Sequence, residues 1–108
     1  MNFNEYQKIA RSTAVYPKES KVIYPALGLC GEAGEVAEKV KKTVRGDTSL
    51  NDGIIRGNIA HELGDVLWYV ATLADDLGFD LETIAKWNVD KLQRRMESNK
   101  IKGDGDNR

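Results

Sequence analysis

Four carboxylates stand in two pairs in this chain: Glu32 and Glu35 in "GEAGE", and Glu62 and Asp65 in "HELGD". Spacing of i, i+3 makes the two members of each pair neighbours on a helix surface. At about 100° per residue, Glu32 and Glu35 fall roughly 90° and 150° from the centre of their helix's apolar stripe. Glu62 and Asp65 fall roughly 100° and 160° from theirs, in the same rotational sense. If the two stripes pack together, the acidic flanks meet at one edge of the core. Carboxylates gathered there repel one another at the reduced dielectric of a helix interface, so the cluster needs a cation or raised pKa values. An all-oxygen donor set suits a hard divalent ion, Mg²⁺ first and Mn²⁺ as a substitute. Mg²⁺ held by a few carboxylates keeps positions for water and phosphate, and the chemistry indicated is metal-assisted work on a polyphosphate. One Glu-x-x-Glu on a solvated helix is ordinary, and the weight here rests on two matching flanks.

Other side chains extend this edge. Lys39 and Lys42 follow Glu32 at i+7 and i+10, where ammonium groups could meet phosphate oxygens. Tyr69 lies one turn beyond Asp65, its hydroxyl within reach of a phosphate while its ring packs. Glu38 is a candidate proton acceptor for an attacking water by spacing, although it points opposite the apolar stripe, and Glu35 is the alternative. In the last helix an asparagine, Asn88, enters the apolar face, with Lys91 and Arg95 following it. Trp68 and Trp87 suit a subunit interface better than a base stack. His61 reads as structural, and Cys30 as a small buried residue. Gly31, Gly34 and Gly64 each cost about 1 kcal/mol of helix propensity against alanine, a cost that close backbone approach or ligand access would justify.

The elements that must carry these residues are helices. Apolar residues at Phe3, Tyr6, Ile9, Ala10 and Ala14 predict a helix over Phe3 to Val15, stopped by Pro17. The segment "YPKESKVIY" is compatible with a connector or with extension of either flanking helix. Leu29, Ala33, Val36, Ala37, Val40 and Val44 form one stripe of a helix from Pro25 to about Val44. The loop "RGDTSLNDG" leads to a helix from about Asn58 to Leu77, with Leu63, Val66, Leu67, Val70, Leu73, Ala74 and Leu77 on its buried face and Gly78 as its stop. Asp80 is the expected N-cap of a final helix through Met96. No β-type alternation occurs. The expectation is an all-α, compact bundle of four to five helices in one domain over residues 1–100, with a flexible tail at 101–108.

Sixteen basic against seventeen acidic residues in 108 leave no field to draw the chain to nucleic acid or an anionic membrane. One cysteine rules out an intrachain disulfide, and no apolar leader or membrane-length run is seen, so a cytoplasmic protein is expected. A core this small with large aromatics argues against a lone monomer, without deciding between a homodimer and a homotetramer.

"GEAGE" followed by "ELGDVLWYV", with residues 36 to 61 between the two acidic motifs, and then "NVDKLQRR", resembles the MazG-like nucleotide pyrophosphohydrolases of the all-α NTP pyrophosphatase superfamily. The resemblance covers roughly Tyr24 to Arg95. It implies Glu32, Glu35, Glu62 and Asp65 as Mg²⁺ ligands, and Asn88, Lys91 and Arg95 as contacts to the nucleotide and its phosphates. The implied reaction is hydrolysis of a nucleoside triphosphate to monophosphate and pyrophosphate, by subunits that dimerise or form dimers of dimers. Only one module is present. Two rivals stand beside this reading. A di-iron carboxylate bundle requires Glu-x-x-His, which the chain lacks. A nucleotide-binding helical sensor or assembly protein would keep the pocket without turnover.

Overall fold

The computed structural model describes residues 1–98 and 105–106. Among the described residues there are four α-helices: α1 Phe3–Ser12, α2 Ile23–Arg45, α3 Gly53–Asp76 and α4 Leu81–Glu97. A 3₁₀ turn at Lys18–Ser20 lies before α2, and no strand occurs among the described residues. The all-α expectation is met. Of the tail expected at 101–108, all but Gly105 and Asp106 lies outside the described residues. No helix is long and apolar enough to cross a membrane among the described residues.

Local chemistry sets most boundaries. Asn2 Oδ1 accepts the Glu5 N–H at 2.8 Å and caps α1, which ends three residues before the expected Val15. The undecided segment before α2 is a connector with an unusual end. Val22 adopts φ 70° and ψ −52°, and the Ile23 N–H donates to the Lys21 carbonyl at 2.8 Å, forming a strained γ-turn at a β-branched residue. Pro25 then occupies the first turn of α2. Gly46, at φ 95°, closes α2 in the left-handed conformation. Asp52 Oδ1 accepts the Ile54 N–H at 2.8 Å, so α3 begins at Gly53, earlier than the expected Asn58. Asp80 holds the N-cap position of α4, but its side chain makes no capping bond. Side chains of α1 cap α4 instead: Gln7 Oε1 accepts from Leu81 N and Asn4 Oδ1 from Glu82 N.

Long α2 and α3 pack on each other, while α1 lies across α3 and α4. Buried Gln7 ties these elements together, donating to the carbonyls of Ala71 and Phe79. A second tie is Asp76, whose side chain is 1% exposed and accepts from Arg11, Tyr16 and the Val22 N–H. The buried apolar core is small among the described residues: Ala10, Ala71, Ala74 and Leu81, with Tyr6, Trp68 and Val70 packed against the cluster of Ala10, Ala71 and Leu81.

The predicted buried face of α3 requires correction. Leu63 is 54% exposed, and Leu67 and Leu77 are also exposed, as are Val40 and Val44 on α2. Among the described residues, these side chains of α2 and α3 are left uncovered. The radius of gyration, 16.6 Å, reflects this against about 13 Å for a typical domain of this length. Cys30, expected to be buried, is exposed on α2.

Candidate functional site

Helices α2 and α3 run antiparallel, because their partners pair in opposite order: Tyr24 and Gly28 meet Tyr69, Glu32 meets Glu62 and Asp65, and Lys39 meets Glu62. This register brings the two acidic flanks to one edge. Oxygen atoms of Glu32, Glu62 and Asp65 lie within 4.8 Å of one another. Crowding is felt at Glu32, whose pKa is raised by burial, by a hydrogen bond with Glu62 and by the charges of Asp65, Glu62 and Glu35. Carboxylates gathered this closely repel one another, and a bound cation would relieve that repulsion. Three oxygen donors at this separation fit a hard divalent ion such as Mg²⁺ or Mn²⁺.

Glu35 is not one of the three, but it is near enough for its charge to act on Glu32. Glu38 is not brought to the cluster. It faces solvent and pairs with Lys41 at 2.9 Å, and that hydrogen bond lowers its pKa. Lys39 does reach the edge, its Nζ 3.5 Å from Glu62 Oε1. Lys42 lines a pocket with Lys39 just beyond it.

Tyr69 flanks the other end of the cluster. Its ring lies so close over α2 that a Cβ on Gly28 would stand 2.1 Å from Cε1. Burial raises its pKa, followed by a hydrogen bond with Tyr24 and the charges of Tyr24, Glu32 and Asp65. Tyr24 stacks on Tyr16 at 4.8 Å between centroids, and Trp68 meets Tyr69 edge-on at 4.9 Å. Trp68 also donates from Nε1 to Thr13 Oγ1, while Trp87 is half exposed and packs edge-on against Phe79. Tyr6 of α1 is near enough to Asp65 for its pKa to be raised, by burial first and then by that charge.

The third motif is elsewhere. Lys91 donates to Asp106 Oδ1 at 2.9 Å, and buried Arg95 donates to the same oxygen and to the Gly105 carbonyl. Asn88 is exposed. No hydrogen bond or ion pair links these three residues to the acidic trio among the described residues. A larger cavity of about 550 Å³, lined by Arg11, Tyr16, Lys18, Lys21, Asp75 and Asp76, opens some three helical turns from Asp65, and its Arg11 is neutralised by Asp75 and Asp76.

Residues 25–99, which contain the trio, the Tyr69 platform and the third motif, match the sequence profile of the MazG nucleotide pyrophosphohydrolase domain. The chain belongs to the MazG family. It is also 43% identical, over 118 residues covering 100% of both chains, to the Gene 37 protein of Mycobacterium phage L5. No solved structure matches it significantly. Membership of a nucleotide pyrophosphohydrolase family accounts for the acidic edge of this MazG chain at the level of reaction class. Sequence reasoning overlooked Gly28, Tyr24 and Tyr6. Gly28 carried a usable signal, standing one turn before Glu32 on the same side of α2, whereas the approach of Tyr6 to Asp65 depends on how α1 crosses α3.

Proposed function

We propose that this chain is a Mg²⁺-dependent nucleoside triphosphate pyrophosphohydrolase, cleaving NTP or dNTP to the monophosphate and pyrophosphate and so clearing particular nucleotides from the pool. The observation that carries the reading is the convergence of Glu32, Glu62 and Asp65 from two antiparallel helices. When bound there, a divalent ion supplies the positive charge that a carboxylate site lacks toward a polyphosphate and polarises the phosphoryl group. In this reading Glu35, outside the trio but near enough for its charge to act on Glu32, accepts the proton of the attacking water, while Glu38 is paired with Lys41. Lys39 exchanges its contact with Glu62 for a phosphate oxygen. Tyr69 forms a wall held in place by Gly28 and Tyr24. Asn88, Lys91 and Arg95 complete the pocket from a second copy of the chain, in a homodimer or homotetramer whose formation covers Leu63 and Leu67.

Incubation with a panel of NTPs and dNTPs, with and without Mg²⁺, tests the reading. The expected products are monophosphate and pyrophosphate in equal amounts. Glu35→Gln and Asp65→Asn are each expected to abolish this turnover while the helical circular dichroism stays near wild type. Release of diphosphate and orthophosphate, or binding with no turnover as a sensor would show, overturns it.

A further inference from the structure

Lys91 and Arg95 stand at i and i+4 on α4, so their side chains share one face of the helix. Both turn to one acid beyond the helix end. Lys91 Nζ donates to Asp106 Oδ1 at 2.9 Å, and Arg95 Nη2 donates to the same oxygen at 3.1 Å. That Nη2 also donates to the Gly105 carbonyl at 3.2 Å. Gly105 holds φ 71°, a left-handed backbone open to glycine without a Cβ penalty, and at this turn the carbonyl and the next carboxylate meet one guanidinium. The two ends of the contact differ in burial. The Arg95 side chain is 8% exposed, whereas that of Asp106 is 80% exposed. A guanidinium withdrawn from water needs an acceptor, because an unpaired buried charge is costly. An acid that stands in water gains little from the pair and leaves it readily. Arg95 thus has a standing need for an anion, and Asp106 meets it with a replaceable one. One oxygen held by an ammonium and a guanidinium together is also a contact that a phosphate oxygen makes well. Hydrogen bonds from Lys91 and then Arg95 lower the Asp106 pKa, so the carboxylate stays charged at neutral pH.

We propose that Asp106 is a tethered stand-in for phosphate, an autoinhibitory contact that occupies Lys91 and Arg95 until an incoming nucleotide displaces it. The inference goes beyond the hydrolase reading and rests on it for the role of Lys91 and Arg95 as phosphate contacts. No covalent bond changes; one ion pair is exchanged for another. The carboxylate is part of the chain, so it competes at a local concentration set by its tether and not by the amount of protein. Its removal takes away a competitor for substrate binding and leaves the reacting centre untouched, which lowers KM and spares kcat. Because Asp106 lies at the surface, its loss leaves the stability of the helices near wild type.

Carbon nuclear magnetic resonance of the Asp106 carboxyl in the full chain reads the contact directly. In wild type the group is expected to titrate below its ordinary 3.8, and in Lys91→Gln nearer to that value. The probes for displacement are the α,β-methylene analogues of the common NTPs and dNTPs, each added with Mg²⁺ at neutral pH. An analogue that binds is expected to move the Asp106 resonance to the position of an unpaired aspartate. Calorimetry should show Asp106→Asn binding the same analogue about threefold more tightly than wild type. With the cleavable nucleotide, KM should fall by a similar factor at unchanged kcat. An Asp106 resonance unmoved by excess of every analogue, or equal affinity in the two chains, overturns the proposal. Cleavage of nucleotides with equal affinity in both chains upholds the hydrolase reading and sinks the contact. Tighter binding by Asp106→Asn in a chain that cleaves nothing does the reverse.

Discussion

A methyl group added at Gly28 would stand 2.1 Å from the Tyr69 ring, whereas one added at Gly31, Gly34 or Gly64 meets nothing within 4 Å. The glycines beside the acids are thus not explained by close approach among the described residues. Gly28 is the position where the missing side chain is required. Gly28→Ala is expected to destabilise the chain by about 1–3 kcal/mol through overpacking. Gly31→Ala, by contrast, should be neutral or stabilising by up to about 1 kcal/mol through helix propensity. Urea unfolding of the two variants measures the difference, and equal midpoints would show that the Tyr69 ring yields at no cost. Helical angle makes the acidic residues legible in the sequence, because four carboxylates in two matched pairs state their direction through spacing alone. It does not show that Glu38 turns to Lys41 or that Lys39 reaches across to Glu62, since those choices are made by neighbours on the folded surface.

At the level of elements, α2 and α3 are readable from their apolar period, and the way α2 begins is not. Val22 holds φ 70° because its N–H is bound by Asp76, fifty-four residues later, and no local pattern encodes that partner. The start of α4 is similar, being capped by Gln7 and Asn4 of α1. Burial by itself would raise the Asp76 pKa, but the Val22 N–H, Tyr16 and the Arg11 guanidinium outweigh it and hold the carboxylate below its ordinary value of 3.8. A depressed folded-state pKa gives stability that is present above the unfolded value and is lost as pH falls through the folded one. The urea midpoint is therefore expected to drop as pH falls below about 4. Asp76→Asn should remove this part of the pH dependence and cost about 3 kcal/mol at neutral pH, because Arg11 loses its buried partner. A variant with the wild-type midpoint at pH 7 would show that the Asp76 contacts do not hold α1 and α2 to α3.

The whole molecule is open for its size. Its principal extents are 43 × 42 × 27 Å, and Leu63, Ile54, Leu27 and Met96 lie exposed along its surface. The apolar stripe of α3 is legible in the sequence, but a period shows only that a face is apolar and cannot tell whether the chain itself or a second copy covers it. Exposed apolar area of this kind marks an association surface. Light scattering is expected to give a mass that is a multiple of 12.0 kDa, and Leu63→Asp is expected to lower it toward a single chain. A wild-type mass of one chain would leave Asn88, Lys91 and Arg95 without a route to the trio. Every role assigned to the acidic edge depends on the trio holding a divalent ion, and metal binding tests that most directly. Mn²⁺ titration followed by electron paramagnetic resonance should show saturable binding to the wild-type chain. A variant carrying Glu32→Gln, Glu62→Gln and Asp65→Asn together should lose that binding while remaining helical. Equal Mn²⁺ binding by both proteins would contradict the assignment of these three carboxylates as the metal centre.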